Sequence, residues 1–210
     1  MLHTVDTPSL DSAEKLRPRR PALAMIEREA RALASPAFSY RIFPVMEVCG
    51  ESIVLGEETL HTPGLAAESG GLRAVAAAAC TLGTAIQERI SALFAARQPS
   101  RALALDTVSN ELLFHLADRV LAAIHREARR DALRTGIDIS PGDPGVPLDQ
   151  QATVLALANA APQGIAATEA GALFPVKSLS FVVALGPTLR RRSTSGRCNC
   201  CPSRDRCTVK

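Results

Sequence analysis

Apolar residues recur at helical spacing at Leu23, Ile26, Ala30 and Leu33, between Pro21 and Pro36, and predict a helix over about 21–34. Residues 40–48 and 52–55 are β-branched or alternate apolar with polar around Cys49-Gly50, and read as two short strands. Pro44 suggests an edge position for the first. Residues 56–72 hold several turn formers and stay ambiguous. Residues 73–82 are alanine-rich, so propensity alone favours helix, but Gly83 and the start signal beyond it argue that a different element ends there. Thr84 and Gln87 fit a capping box, which predicts a helix from Ala85 to about Arg97, broken by Pro99-Ser100. The longest helix is expected to start between Ser100 and Asp106 and to run to about Thr135, with Leu113, Leu116, Ala117, Val120, Ile124 and Ala128 as its buried stripe. A further helix over 148–160 ends before Pro162, and strands follow at 165–169 and 179–185. The run from Phe181 to Leu185 is apolar on both faces, as a central strand requires. Helices and strands mix without βαβ regularity or internal repeat, which favours an α+β fold with an antiparallel sheet.

Composition narrows this picture. The 210 residues are 47% apolar and 21% charged, as in an ordinary globular protein, and suffice for one substantial domain. Aromatics make up 3%, with no Trp, so the core must be aliphatic and stacking platforms for single-stranded nucleic acid are not expected. The net charge of +3 is uneven: from Arg190 onward seven basic residues face one acidic, or +6, whereas the rest carries 17 basic and 20 acidic, or −3. The basic character belongs to the tail, so a nucleic-acid-binding fold is not implied. The organisation expected is a polar arm over 1–20, an α+β domain over 21–187 and a basic, Cys-rich tail over 188–210. The first 25 residues lack an apolar core segment and carry Asp6, Asp11, Glu14 and Arg17, so they are not read as a secretory signal. The longest uncharged run, 150–168, contains Pro162 and several amides and is a poor membrane span. The expected location is the cytoplasm, without membrane attachment and with the six cysteines reduced.

Two stretches carry candidate chemistry. Residues 140–148, Ser-Pro-Gly-Asp-Pro-Gly-Val-Pro-Leu, form a loop dense in Pro and Gly, which brings backbone close to something and holds it there. In the tail, Cys198, Cys200, Cys201 and Cys207 fall within ten residues and include a CxxC pair. Converging thiolates suit zinc, an iron–sulfur cluster or the cobalt of a corrinoid, and the flanking arginines favour the thiolate form. The alternative is a tail of redox-labile thiols without metal. Cys49 and Cys80 stand alone and read as buried small hydrophobes. Elsewhere enzyme chemistry is sparse: there is no GxSxG, no P-loop and no GxGxxG after a strand. His115 and His125 share a helix but are too far apart to hold one ion, and read as structural or surface residues. Glu57-Glu58 lies in a turn with no partner base.

The region from about Thr81 to Gly186 resembles the activation domain of cobalamin-dependent methionine synthase, above all its short stand-alone members. Cys80-Thr81-Leu82-Gly83 is similar to a Thr-hydrophobe-Gly element before a helix. Leu116-Ala117-Asp118-Arg119 is similar to the family's LADR, and Ser140-Pro141-Gly142 with Pro147-Leu148 resembles SPGYGDWPL. Residues 168–180 resemble TES…MxPxxSVS, and the tail resembles the short members' CxxC…C end. The resemblance implies a twisted antiparallel sheet wrapped by helices, an S-adenosylmethionine site and a cobalamin-carrying methyltransferase partner whose oxidised cobalt is reduced and remethylated. Carried over, the cofactor-binding positions are Ser140, Pro141, Gly142 and Asp143, with Glu169 and Ser178 nearby, and the metal positions are Cys198, Cys200, Cys201 and Cys207. The implied role is an accessory reactivation component rather than a free-standing enzyme. The chain departs from the family at Asp138, where Arg is usual, and at Asp143, where Tyr is usual. An Arg pairs bidentately with a ligand carboxylate, and an Asp repels it. The departures define the alternative: a degenerate, non-catalytic module whose tail binds zinc or an iron–sulfur cluster.

Overall fold

The computed structural model describes residues 21–189, so the predicted arm and the four tail cysteines, Cys198, Cys200, Cys201 and Cys207, lie outside the described residues. The centre is a four-stranded sheet in the order β1 (Ala37–Pro44), β5 (Ala74–Thr81), β9 (Ser178–Gly186), β6 (Arg134–Ile139). Every pairing is antiparallel. The fold is α+β, as the sequence predicts. Pro44 ends an edge strand and β9 is an inner one, both as expected.

One face of the sheet carries α1 (Pro21–Leu33), α3 (Ala85–Ala95) and α4 (Pro99–Ala128). Leu105, Leu112, Leu116, Val120 and Ile124 of α4 pack here with Ile86, Leu93, Phe181, Val183 and Leu185. Glu29 on α1 clamps the three helices together: it accepts from Arg89 Nε at 2.7 Å and Arg101 Nη2 at 2.8 Å. These two hydrogen bonds, Arg101's the larger influence, hold its carboxyl below the usual carboxylate range.

The other face carries α5 (Gln151–Ala158), the short α2 (Pro63–Ala66) and a three-stranded meander of β2 (Glu47–Cys49), β3 (Ser52–Leu55) and β4 (Glu58–His61). A two-stranded ribbon, β7 (Ala166–Ala167) with β8 (Leu173–Phe174), completes the fold. Among the described residues no helix is long and apolar enough to cross a membrane.

Several expectations are corrected. Residues 74–81, where propensity alone favours helix and Gly83 argues for a different element, are a strand, buried throughout, because alanine lets helices from both faces approach it closely. The long helix does not reach Thr135. It starts at Pro99, where a missing N–H is harmless, and stops at Ala128; a short 3₁₀ turn and Ala132 at φ 56° lead into β6. The single strand expected over 40–48 divides after Pro44 between two sheets, and the strand expected over 165–169 shrinks to Ala166–Ala167. Of the helix expected over 148–160, residues 151–158 are α-helical, with a 3₁₀ turn before them. Thr84 makes no side-chain cap, and Gln87 instead accepts from Val176 N at 3.2 Å. Cys80 is buried as expected, and burial pushes its thiol up to about 12. Cys49, by contrast, is exposed, because it ends β2 at the tip of a hairpin.

Candidate functional site

The proline- and glycine-rich loop leaves the sheet directly after Ile139, which pairs with Val182 on β9. It bends back on itself. Asp143 N donates to Ser140 O at 3.0 Å, and Ser140 N donates to Asp143 Oδ2 at 3.1 Å. Gly142 N reaches Val146 O at 2.8 Å and Val146 N reaches Asp143 O at 3.2 Å. Val146 is fully buried and anchors the bend, while Gly142, Asp143 and Pro144 face solvent.

The base of the loop is stapled to the corner between β4 and α2. Gly145 O accepts from Gly64 N at 3.0 Å and from the buried Thr62 Oγ1 at 3.2 Å. Gly145 sits at φ +112°, and a Cβ there would come within 2.9 Å of Gly64 Cα. Only glycine tolerates both the dihedral and the approach. Downstream, Gln150 Oε1 accepts from His61 N at 3.0 Å, so β4 and α2 grip the loop at two points.

The second predicted segment forms a tight turn between β7 and β8. Thr168 N donates to Ala172 O at 2.8 Å, and Thr168 Oγ1 accepts from Ala172 N at 3.1 Å. Glu169 is exposed in this turn. Leu148 ties the turn to the loop: a Cβ on Gly171 would lie 2.9 Å from Leu148 Cγ, and one on Gly142 would lie 3.5 Å from its Cδ1. Leu148, Phe174 and Val176 remain about half exposed, Leu148 beside the loop and the other two on the segment after the Glu169 turn.

Ser178 has a different setting. It is buried at the start of β9 and donates to Thr81 Oγ1 at 2.8 Å, while Thr81 donates to Lys177 O at 3.2 Å. Ser180, on the same face, accepts from the buried Gln151 Nε2 at 2.6 Å. Thus the structure places Ser140, Pro141, Gly142 and Asp143 in one bend, brings the Glu169 turn against it through Leu148, and sets Ser178 in the interior.

This geometry limits what the loop can bind. The amides of Ser140, Gly142, Asp143 and Val146 are already bonded within it. The carbonyls of Pro141, Gly142 and Pro144 take no part in those bonds, and neither does the amide of Gly145. Asp143 turns its carboxylate back onto the loop, and Asp138 stands on β6 opposite Val183.

Sequence reasoning missed Thr62, Gly64, Gln151 and Lys177. Thr62-Pro63-Gly64 carries a readable signal, a cap residue before proline at the first helical position, and Thr62 does accept from Leu65 N at 3.4 Å. Lys177 carries none. It is 4% exposed, and its ammonium donates to Asp106 Oδ1 at 2.7 Å and Asn110 Oδ1 at 2.6 Å on α4. It pins the segment after the Glu169 turn to the helix-covered face. Among the described residues no cluster of His, Cys, Asp or Glu could hold a metal ion.

Comparison with known proteins gives one kind of match. No protein-family model matches the chain, and no curated protein does. Among solved structures the chain is similar to a crystal structure of the MetH reactivation domain bound to AdoHcy, with a TM-score of 0.60 and 18% identity. The match covers 82% of this chain and 67% of that one. At this identity the likeness establishes the fold.

Proposed function

We propose that this chain is an accessory reactivation component of a cobalamin-dependent methyltransferase, holding an S-adenosyl ligand against the loop 140–146. The observation that carries this reading is the fold shared with a domain crystallised with AdoHcy. Two features support it. The loop offers Pro141, Gly142 and Pro144 carbonyls, which match an adenine amine and a methyl-bearing sulfonium. The exposed apolar side chains of Leu148, Phe174 and Val176 are available to a corrinoid-carrying partner. In this reading Ser140, Pro141, Gly142 and Asp143 line the ligand, Glu169 borders it from the neighbouring turn, and Ser178 holds the strand under it. Cys198, Cys200, Cys201 and Cys207 would hold zinc or an iron–sulfur cluster, a cluster giving electrons a path to cobalt. Calorimetry of the full chain with S-adenosylmethionine and AdoHcy, alone and with a corrinoid protein, should show saturable binding that Gly145→Ala weakens. Heat indistinguishable from dilution in every combination would sink the proposal.

A second reading has its own observation. Asp143 satisfies the loop from within, and no Arg stands at position 138 to meet a ligand carboxylate. This favours a module that keeps the fold without the ligand and works through its tail. Anaerobic purification followed by metal analysis separates the two: iron with ligand binding supports reactivation, whereas zinc without ligand binding supports the second reading.

A further inference from the structure

The charge of this chain is concentrated in two segments of opposite sign. Residues 42–72 contain Glu47, Glu51, Glu57, Glu58 and Glu68 and no Lys or Arg, a formal −5 with histidine neutral. Residues 190–210 carry seven basic residues and one acidic, or +6.

Four of the five carboxylates belong to the three-stranded meander. Ile53, Leu55 and Leu60 turn to the core and are buried. The register puts Glu47, Val54 and Thr59 in one cross-strand row and Cys49, Ser52 and His61 in another, both on the opposite, outer face. Glu47, Cys49 and Thr59 are exposed there. Glu51 lies in the β2–β3 turn, and Glu57 and Glu58 at the β3–β4 turn, all three exposed. Carboxylates therefore stand at both ends of the outer face, which strands of three to four residues separate by about 13 Å. Among the described residues none of the five is paired with a Lys or Arg, and Glu51 only nears His61 Nε2 at 3.9 Å.

The described chain ends on the same side of the sheet. Leu189 packs into the α5-face core, and a Cβ on Gly71 would lie 3.0 Å from its Cδ2. Gly71 is three residues after Glu68 and two before Arg73, whose carbonyl accepts from Val45 N at 2.9 Å just ahead of β2. The basic segment thus begins beside the backbone that carries the meander. Residues 190–197, with Arg190, Arg191, Arg192 and Arg197, can span about 26 Å, enough to cross the outer face. A guanidinium matches a carboxylate with two parallel hydrogen bonds.

We infer that the outer face of the meander, with the turn after α2, is the docking surface for residues 190–197 of this same chain. Docking keeps the thiols of 198–207 on the face that holds the loop 140–146, because Thr62 and Gly64, directly after β4, grip the base of that loop. The inference rests on charge and connectivity, so its failure leaves the proposed function untouched.

Amide chemical shifts of the full chain, compared with those of the full-length variant combining Arg190→Ser, Arg191→Ser and Arg192→Ser, test it. Differences are expected at residues 46–61 and 68–71, and should shrink about fivefold as salt rises from roughly 0.05 M to roughly 0.5 M. Glu57→Lys with Glu58→Lys should abolish them, whereas Glu88→Lys, exposed on α3 across the sheet, leaves them in place. Thermal unfolding of each variant separates lost docking from lost fold. Differences confined to the substituted segment, spread over the α4 face or unmoved by salt would overturn the assignment. So would differences that grow with protein concentration, which would give the surface to a second copy.

Discussion

The two faces of the central sheet are covered in opposite ways. The α4 face is built from long amphipathic helices and large aliphatic side chains, with Phe181 at its centre. The α5 face also buries large aliphatic side chains, Ile53, Leu60, Leu65 and Leu157 among them, but under short elements, and it adds close backbone approaches such as Gly64 against Gly145. Both faces gain stability from buried apolar area. The second in addition holds a loop in one shape through a few backbone contacts with no slack. Side-chain burial builds the platform, and backbone contact shapes the candidate site.

Truncations sharpen this contrast. Phe181→Ala opens a cavity in the helix-covered face and should cost about 4 kcal/mol in denaturant unfolding, with the two faces lost together. Gly145→Ala adds a single carbon, yet strains the dihedral and meets Gly64 Cα, so a loss of about 3 kcal/mol is expected. Its mark should be local: hydrogen exchange speeds up over residues 140–150 before anywhere else. If Gly145→Ala loosened α4 equally, the division between the faces would fail.

Lys177→Met tests the connection between them. Methionine keeps the aliphatic stem but removes the ammonium, and Asp106 is 44% exposed and can be rehydrated. Unfolding should become easier by about 2 kcal/mol, below the range for a fully buried pair. The smallest expected effect is at Glu29. Its carboxyl is held low in the folded protein, so the unfolded chain binds the proton first as pH falls. The clamp therefore contributes above the ordinary value of 4.5 and is lost as pH drops through Glu29's own lower value. Its partners are 37% and 45% exposed, which keeps the contribution under about 1 kcal/mol. Stability curves of the wild type and Glu29→Gln should converge in acid and separate at neutral pH.

The helix-covered face was also the more legible one. Leu116, Val120 and Ile124 repeat at a period that only a helix satisfies, and Phe181 to Leu185 could only be an inner strand. Reading failed where neighbours, rather than local preference, decide. The alanines of β5 favour helix in isolation, and become strand because Ala76 and Ala78 pack on one face and Ala77 and Ala79 on the other. β6 was hidden because the arginines after α4 read as a continuing helix, and nothing nearby announces the left-handed Ala132. At the site, Pro and Gly marked the loop itself. Its partners were invisible, since Thr62 and Gly64 meet Gly145 across some eighty residues and Gln151 meets Ser180 across 29.

The placement of β9 also bears on how the chain acquires its structure. Residues 178–186 are the last of the four sheet strands in chain order, yet they occupy the slot between β5 and β6, which do not pair with each other. The earlier elements can collapse and the helices can form, but the sheet stays in two pieces until this segment arrives. Assembly is thus an insertion of the last strand between two earlier ones rather than steady growth from the first, and both cores close only when that strand docks.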